Sequence, residues 1–141
     1  MKILIINGPN LNIIEKRDKK LYGGVSFRLV LKDIKKRYPI VKFKYFQTNH
    51  EGEIIDFLQN VRKYDAIIIN PAAFTHTSIG IRDALEIIDK TKVEVHLSDL
   101  SKRENFRQVN LISAVVDKTI SGKLVEGYFE AIDFVVEKMT K

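Results

Sequence analysis

The sequence predicts an α/β fold in which a parallel β-sheet is covered by helices on both faces. Short apolar runs alternate with amphipathic segments along the whole chain, and no repeat or linker interrupts them. Apolar runs that are continuous, rather than alternating with polar residues, are typical of strands buried on both faces. The length of 141 residues suits a single domain spanning residues 1–141.

Five segments are predicted to be strands. The runs at 2–6 and 66–69 are continuous and apolar, and 41–47 is rich in β-branched and aromatic residues. The fourth strand is expected at 93–98, and a weaker fifth at 114–120. Five parallel strands joined by right-handed crossovers in one domain favour a flavodoxin-like three-layer sandwich with strand order 2-1-3-4-5.

Four amphipathic helices are predicted between and after these strands. Ser26 is expected to cap the first, and Asn49 the second. The third is expected to begin at Thr77 or Ser78, and the last to cover 123–139. Their apolar residues recur at helical spacing, so each helix should pack one face on the sheet.

The composition excludes several kinds of protein. The chain has no Cys, which excludes disulfides, thiolate metal sites and cysteine nucleophiles. Its net charge of +6 is spread along the chain without interleaved aromatics or a nucleic-acid module. We therefore expect no nucleic-acid partner, although a basic surface also attracts small anions. With no signal-peptide pattern and no run of about 20 apolar residues, we expect a cytoplasmic protein without a membrane partner.

Polar residues collect where the predicted strands end. The first strand runs into 7–12, the third runs into 70–78, and the fourth ends in His96 and Ser98. Ligands of such sheets bind beyond the carboxyl ends of the strands, near the point where strand order reverses. No glycine-rich nucleotide motif is present, and the three His lack the spacing of metal ligands. The sequence therefore predicts a polar pocket at this edge of the sheet.

Glu94 and His96 lie two residues apart on a predicted buried strand, so they share one face of the sheet. Glu94 can orient His96 and stabilise its cationic form, which makes His96 a candidate proton donor. A hydrogen-bonded core pair without chemistry would produce the same pattern. The strand by itself does not choose between these two interpretations.

The segment 13–24 is predicted to be a lid loop, because it is long, polar and ends in a glycine pair. It contains Arg17 and Tyr22. A tyrosine in such a place is commonly a packing anchor. If Arg17 folds back onto the phenol, however, its charge favours the phenolate, and Tyr22 becomes a candidate general base.

Together, these residues resemble the type II 3-dehydroquinate dehydratases. The matching motifs run through nearly the whole chain: NGPNLN at 7–12, Arg17 five residues before Tyr22-Gly23, TNHEG at 48–52, NPAAFTHTS at 70–78, EVHLS at 94–98 and RENFR at 103–107. The resemblance implies that the protein dehydrates 3-dehydroquinate, a small anion, to 3-dehydroshikimate through an enolate. It implies no metal and no other cofactor, and a role in chorismate biosynthesis or quinate breakdown.

The resemblance also implies catalytic roles. Tyr22 would remove the C2 proton of the substrate, and Arg17 would favour its phenolate form. His96 would protonate the departing C1 hydroxyl and would be oriented by Glu94. Asn12 would hold a water that stabilises the enolate oxygen.

Substrate-binding roles follow from the same resemblance. Asn70 and the backbone N–H groups of Leu97 and Ser98 would bind the substrate carboxylate. His76 and Arg107 would bind the ring hydroxyls. Alternatively, the loop that holds His76 is an ordinary helix-capping turn without a role in binding.

The resemblance implies trimers grouped into a dodecamer, with Asp83 reaching a neighbouring subunit's site. The chain departs from the family pattern in the lid, where 14–19 keeps the arginine but loses a glycine and a proline of the usual LGxREP. Lys118 and Leu124 also stand where the family favours glycine. We expect altered lid closure and assembly details, with activity retained. A non-catalytic anion-binding or regulatory protein is the alternative.

Overall fold

The molecule is built on one five-stranded parallel sheet, which a computed structural model describes over all of residues 1–141. The strands are β1 (Lys2–Asn7), β2 (Lys42–Gln47), β3 (Ala66–Asn70), β4 (Thr91–His96) and β5 (Lys118–Ser121). All neighbouring pairs are parallel, in the order β2-β1-β3-β4-β5. The predicted flavodoxin-like fold and strand order are confirmed.

Helices cover both faces of the sheet. They are α1 (Lys19–Tyr22), α2 (Phe27–Arg37), α3 (Glu51–Leu58), α4 (Ile79–Glu86) and α5 (Glu126–Met139). Buried residues of α2 and α5 pack with one face of the strands, and those of α3 and α4 pack with the other. None of these helices has both the length and the apolar content needed to cross a bilayer.

The first strand shows why the core sequence is continuously apolar. Ile3 and Ile5 belong to the core on the α2–α5 side, while Leu4 and Ile6 belong to the core on the α3–α4 side. All four are 0% exposed. Successive side chains of a strand point to opposite faces, so a strand covered on both sides needs apolar residues at every position.

The first three strands agree with the prediction to within one residue, whereas the fourth and fifth differ by more. The fourth strand is Thr91–His96 and not 93–98, so Leu97 and Ser98 lie just beyond its end, with their N–H groups unbonded. The fifth strand is Lys118–Ser121 and not 114–120, because Ser113–Val115 forms a turn of 3-10 helix. The predicted start of the last helix at 123 is also early, since α5 begins at Glu126.

Helix caps agree only in part with the prediction. Ser78 is the cap of α4, with its Oγ accepting from the N–H of Ile81 at 2.9 Å. Ser26 precedes α2 without a side-chain capping bond. The prediction for Asn49 is wrong, because His50 occupies the cap position. Asn49 Oδ1 instead accepts from the N–H of Asn10 at 3.1 Å, which ties it to the turn after β1.

The predicted lid segment 13–24 is more ordered, and more deeply anchored, than a polar loop. A 3-10 turn, Leu11–Lys16, leads into α1, whose cap Asp18 accepts from the N–H of Lys20 at 2.8 Å. Ile14 and Tyr22 are 2% and 8% exposed and belong to the core on the α2–α5 side. Two side chains of the segment are therefore part of the core, and its motion as a lid stays a prediction.

The two positions where the family favours glycine have distinct surroundings. Lys118 Nζ lies 3.5 Å from a carboxylate oxygen of Glu130. Leu124 has φ 52°, a left-handed conformation that costs a non-glycine residue about 1–2 kcal/mol. Leu124 also lies beside Gly23, at the end of the lid segment. The strained residue thus lies next to the segment that is predicted to be a lid.

Candidate active site

A polar pocket opens at the carboxyl ends of β1, β3 and β4, where the sequence places the site. Its lining includes most of the predicted site residues: Arg17, Tyr22, Asn70, His76, His96, Leu97, Ser98 and Arg107. Glu94 lies beneath His96, and neither Asn12 nor Asp83 lines the pocket. The lid segment and the turns after the three strands therefore form one continuous site.

The phenol oxygen of Tyr22 is held by two guanidinium groups. Arg17 folds back onto it, which is the condition for Tyr22 to be a candidate base, and its Nη2 donates to Tyr22 Oη at 2.7 Å. Arg103 Nη1 donates to the same oxygen at 3.1 Å and to Ser98 Oγ at 2.8 Å. Two cationic donors on one oxygen can stabilise negative charge that develops there during a reaction.

Arg103 was not predicted as a site residue. Its side chain is only 8% exposed. Burial disfavours the Arg103 cation, but the hydrogen bond and charge of Tyr22 raise the pKa of Arg103 above its usual value. Arg103 and Tyr22 are 81 residues apart, so no local pattern links them. The one feature of the sequence that could have indicated Arg103 is its place at the start of the RENFR motif.

Glu94 and His96 form the buried pair that their spacing predicts. His96 Nε2 lies 2.7 Å from Glu94 Oε2, and the two residues are 4% and 0% exposed. His96 Nδ1 makes no hydrogen bond within the chain, and the ring lines the pocket. The carboxylate therefore engages one ring nitrogen and leaves the other available to a ligand.

Three further donors hold the Glu94 carboxylate. Thr75 Oγ1 donates to Oε2 at 2.8 Å, while Asn110 Nδ2 and Thr119 Oγ1 donate to Oε1 at 2.8 and 3.0 Å. Burial pushes the pKa of Glu94 upward, but hydrogen bonds from His96, Asn110 and Thr75 bring it below its usual range. Glu94 therefore stays ionised and can stabilise an imidazolium. Sequence reasoning missed these three donors, since each is a lone polar residue without a pattern.

Unpaired N–H donors lie at the end of β4. The backbone N–H groups of Leu97 and Ser98 make no hydrogen bond within the chain. Asn70 is 2% exposed and presents its amide to the same pocket. Its Oδ1 accepts from the N–H of Ala72 at 3.0 Å and its Nδ2 donates to Tyr128 Oη at 3.1 Å, which leaves one amide hydrogen free. Convergent N–H donors of this kind bind a carboxylate well.

Two more polar side chains lie at the mouth of the pocket. His76 Nδ1 donates to the backbone oxygen of Val109 at 2.7 Å, so its Nε2 is the nitrogen free for a ligand. Arg107 Nε donates to Glu104 Oε2 at 2.7 Å. The remaining guanidinium N–H groups of Arg107 can serve hydroxyl groups in the pocket.

Two predicted site residues lie away from the pocket in the single chain. Asn12 is exposed, and its Oδ1 accepts a long, 3.5 Å hydrogen bond from Gln47 Nε2. Asp83 projects from α4, with 64% of its side chain exposed, near Arg82. Their proposed roles stay predictions, as does the absence of a metal or cofactor from the reaction.

Gly8 allows the turns after β1 and β3 to touch. Its N–H donates to Asn70 O at 2.8 Å, and a Cβ at this position would lie 2.5 Å from Pro71 O. Gly8→Ala should therefore push these turns apart, cost about 1–3 kcal/mol of unfolding free energy and weaken binding in the pocket. Gly52→Ala is the matched control, since nothing lies within 4 Å of its Cβ position in α3.

For that control we expect a gain of about 0.5–1 kcal/mol, because alanine is the better helix former. Denaturant titration of both variants, together with a ligand-binding measurement, checks the pair. A Gly8→Ala protein as stable as the wild type would show that the two turns can separate freely.

The fold and the pocket define a class of protein: an α/β protein with a polar pocket of N–H donors, a phenol and a histidine at the carboxyl edge of its sheet. The chain belongs to the class II dehydroquinase family. The family described as "Dehydroquinase class II" matches residues 1–136. This confirms the family to which the sequence motifs pointed.

Named relatives and solved structures agree with this family. The 3-dehydroquinate dehydratase of Thermotoga petrophila is 47% identical over 141 residues, which is 99% of this chain and 97% of that protein. The enzyme of the same name from Caldicellulosiruptor bescii is 44% identical and covers 93% of both chains. The type II dehydroquinase structure from Butyrivibrio crossotus matches with a TM-score of 0.93 at 40% identity, covering 96% of this chain and 97% of that one. The Propionibacterium acnes type II dehydroquinase matches at 0.91 with 30% identity, covering 96% of each chain.

Proposed function

We propose that the protein is a 3-dehydroquinate dehydratase, a hydro-lyase that removes water from 3-dehydroquinate to give 3-dehydroshikimate in the shikimate pathway. The observation that carries this proposal is the pairing, in one pocket, of a phenol held by two guanidiniums with a histidine held by a buried carboxylate. The names of the relatives support the choice of substrate.

In the proposed first step, Tyr22 acts as the base. The hydrogen on C2 lies next to a ketone and is a weak acid, so its removal needs both a base and stabilisation of the enolate. The contacts from Arg17 and Arg103 favour the phenolate that accepts this proton. Asn12 would hold the water that stabilises the enolate oxygen, and its position one residue after pocket-lining Leu11 supports that assignment.

In the second step, His96 acts as the acid. The enolate re-forms the ketone as the C1–O bond breaks, and the imidazolium gives its proton to the departing hydroxyl, which leaves as water. Because Nε2 is bound to Glu94, the proton would come from Nδ1. Tyr22 has then gained one proton and His96 has lost one, and exchange with solvent restores both.

The substrate is proposed to bind through its carboxylate and hydroxyls. The free N–H groups of Leu97 and Ser98 and the remaining amide hydrogen of Asn70 would hold the carboxylate. His76 and Arg107, at the mouth of the pocket, would hold the ring hydroxyls.

The proposal extends to assembly into trimers and a dodecamer, with Asp83 completing a neighbouring subunit's site. In support, Asp83 lies on α4 between Ile79 and Ile87, which are 62% and 79% exposed. Positions four apart share one helix face, so this face is partly apolar and suits an interface. A solution mass near that of one chain would overturn the assembly. A cytoplasmic location is proposed with the metabolic role, and cell fractionation tests it.

Purified protein incubated with 3-dehydroquinate should produce the absorbance of the conjugated enone product. Turnover should persist after borohydride treatment with substrate and in the presence of EDTA, because the proposed steps need neither a Schiff base nor a metal. Folded protein that binds 3-dehydroquinate without turning it over would instead be a non-catalytic binding protein.

A further inference from the structure

A buried line of hydrogen bonds runs beneath the pocket from α5 to β2. Tyr128 Oη donates to Asn7 Oδ1 at 2.6 Å, and Asn7 Nδ2 donates to Tyr45 Oη at 3.2 Å. At the pocket end, Asn70 Nδ2 donates to Tyr128 Oη at 3.1 Å. Tyr128 and Asn7 are both 0% exposed, and neither touches the pocket.

The bonds in this line have a defined direction. A phenol has one proton, and Tyr128 gives it to Asn7, so towards Asn70 it can only accept. The amide nitrogen of Asn70 must therefore face Tyr128, while its oxygen accepts from the N–H of Ala72. Turning the amide over would leave buried groups mismatched on both sides, which is costly.

The proton of Tyr128 stays in place across the useful pH range. Burial raises the pKa of Tyr128 well above its ordinary value, and the hydrogen bonds from and to the two asparagines do not reverse this. The hydroxyl therefore keeps the same donor and acceptor pattern wherever the protein is folded.

We propose that Tyr128 is a positioning residue for substrate binding: its hydroxyl holds the Asn70 amide so that the second N–H points at the substrate carboxylate. The inference rests on the proposed function, which assigns Asn70 to that carboxylate. Without the Tyr128 hydroxyl, the Asn70 amide loses the acceptor that holds its NH₂ group in place. The second N–H of Asn70 then has to be oriented each time the substrate binds, which weakens substrate binding more than it slows the chemical steps.

The test compares Tyr128→Phe with Tyr38→Phe. Tyr38 is a matched control because its hydroxyl also bonds to α5, at 3.2 Å from Phe129 O and 2.6 Å from Asp133 Oδ1, far from Asn70. Tyr128→Phe should raise KM for 3-dehydroquinate about tenfold, with a smaller change in kcat. Tyr38→Phe should lower the melting temperature but leave KM unchanged.

A direct binding measurement keeps this test separate from turnover. With Tyr22→Phe as the background, calorimetry gives the Kd of 3-dehydroquinate with and without Tyr128→Phe, and we expect the same tenfold difference. If wild-type protein binds but does not turn over substrate, the proposed function fails, while the Kd comparison still tests Tyr128.

A lower melting temperature with unchanged KM and Kd in Tyr128→Phe would overturn the proposal and leave Tyr128 with a structural role only. An equal rise of KM in Tyr38→Phe would overturn it as well. If Tyr128→Phe does not fold, Asn7→Leu replaces it. That variant removes the acceptor of the Tyr128 proton, so the same rise in KM is expected, and an unchanged KM would contradict the proposal.

Discussion

Replacing Tyr22 with phenylalanine should lower kcat by about 10²–10⁴, the usual contribution of a general base. The change removes the oxygen that Arg17 and Arg103 hold at 2.7 and 3.1 Å, while the ring remains to fill the core. Because the ring packing survives, the protein should fold and bind substrate. Steady-state kinetics from the enone absorbance, with the melting temperature measured in parallel, separate loss of chemistry from loss of fold.

The control for this variant is Tyr38→Phe, which removes a phenol oxygen outside the pocket and should keep its kcat. A substrate deuterated at C2 adds a second measurement, since a slower reaction with it would show that proton removal limits the rate. A Tyr22→Phe enzyme within tenfold of the wild-type kcat would mean that another group is the base.

Glu94→Gln should lower both activity and stability. The neutral amide cannot stabilise the His96 imidazolium, and its NH₂ group would face two donors where the carboxylate now accepts four hydrogen bonds. We expect a loss of about 1–3 kcal/mol in unfolding free energy from the mismatched buried donors. We also expect kcat to fall by about 10–10³-fold, because His96 would be less firmly oriented and its cationic form would lose the stabilising carboxylate.

The stability difference should depend on pH in a defined direction. Hydrogen bonds outweigh burial and lower the pKa of Glu94 in the folded state, so the unfolded chain binds its proton more readily. The Glu94 contribution is therefore fully present above the unfolded pKa of about 4.3 and is lost as the pH falls through the lower folded value. Wild type and Glu94→Gln should converge in stability on acidification.

Denaturant titrations at neutral pH and at about pH 3, well below the unfolded pKa, measure this convergence. Glu137→Gln serves as the control, because Glu137 is 73% exposed and pairs only with Lys141. It should change stability little at either pH. A stability gap for Glu94→Gln that is unchanged between the two pH values would contradict the ionised, hydrogen-bonded state of Glu94.

Several features of the site could be predicted because they are local in the chain. Glu94 and His96 share a face because strand side chains alternate, and their pairing needs no information from elsewhere. Arg17 reaches Tyr22 across only five residues, within one turn-and-helix segment. The capping prediction for Asn49 failed because of a contact that is distant in the chain. Its side chain accepts a hydrogen bond from the N–H of Asn10, in the turn after β1.

The sequence by itself determined the fold, the strand order and the family of this protein. Continuous apolar runs separated by amphipathic segments admit few arrangements other than a covered parallel sheet, and the polar motifs mark the carboxyl ends of its strands.

Only the tertiary structure decided which lone polar residues meet. Arg103 on Tyr22, Asn110 on Glu94 and Tyr128 beneath Asn70 join positions 16 to 81 residues apart. Such residues have no periodicity or motif of their own. Their partners are chosen by which strands and helices become neighbours, and a buried polar group must then satisfy its hydrogen bonds there.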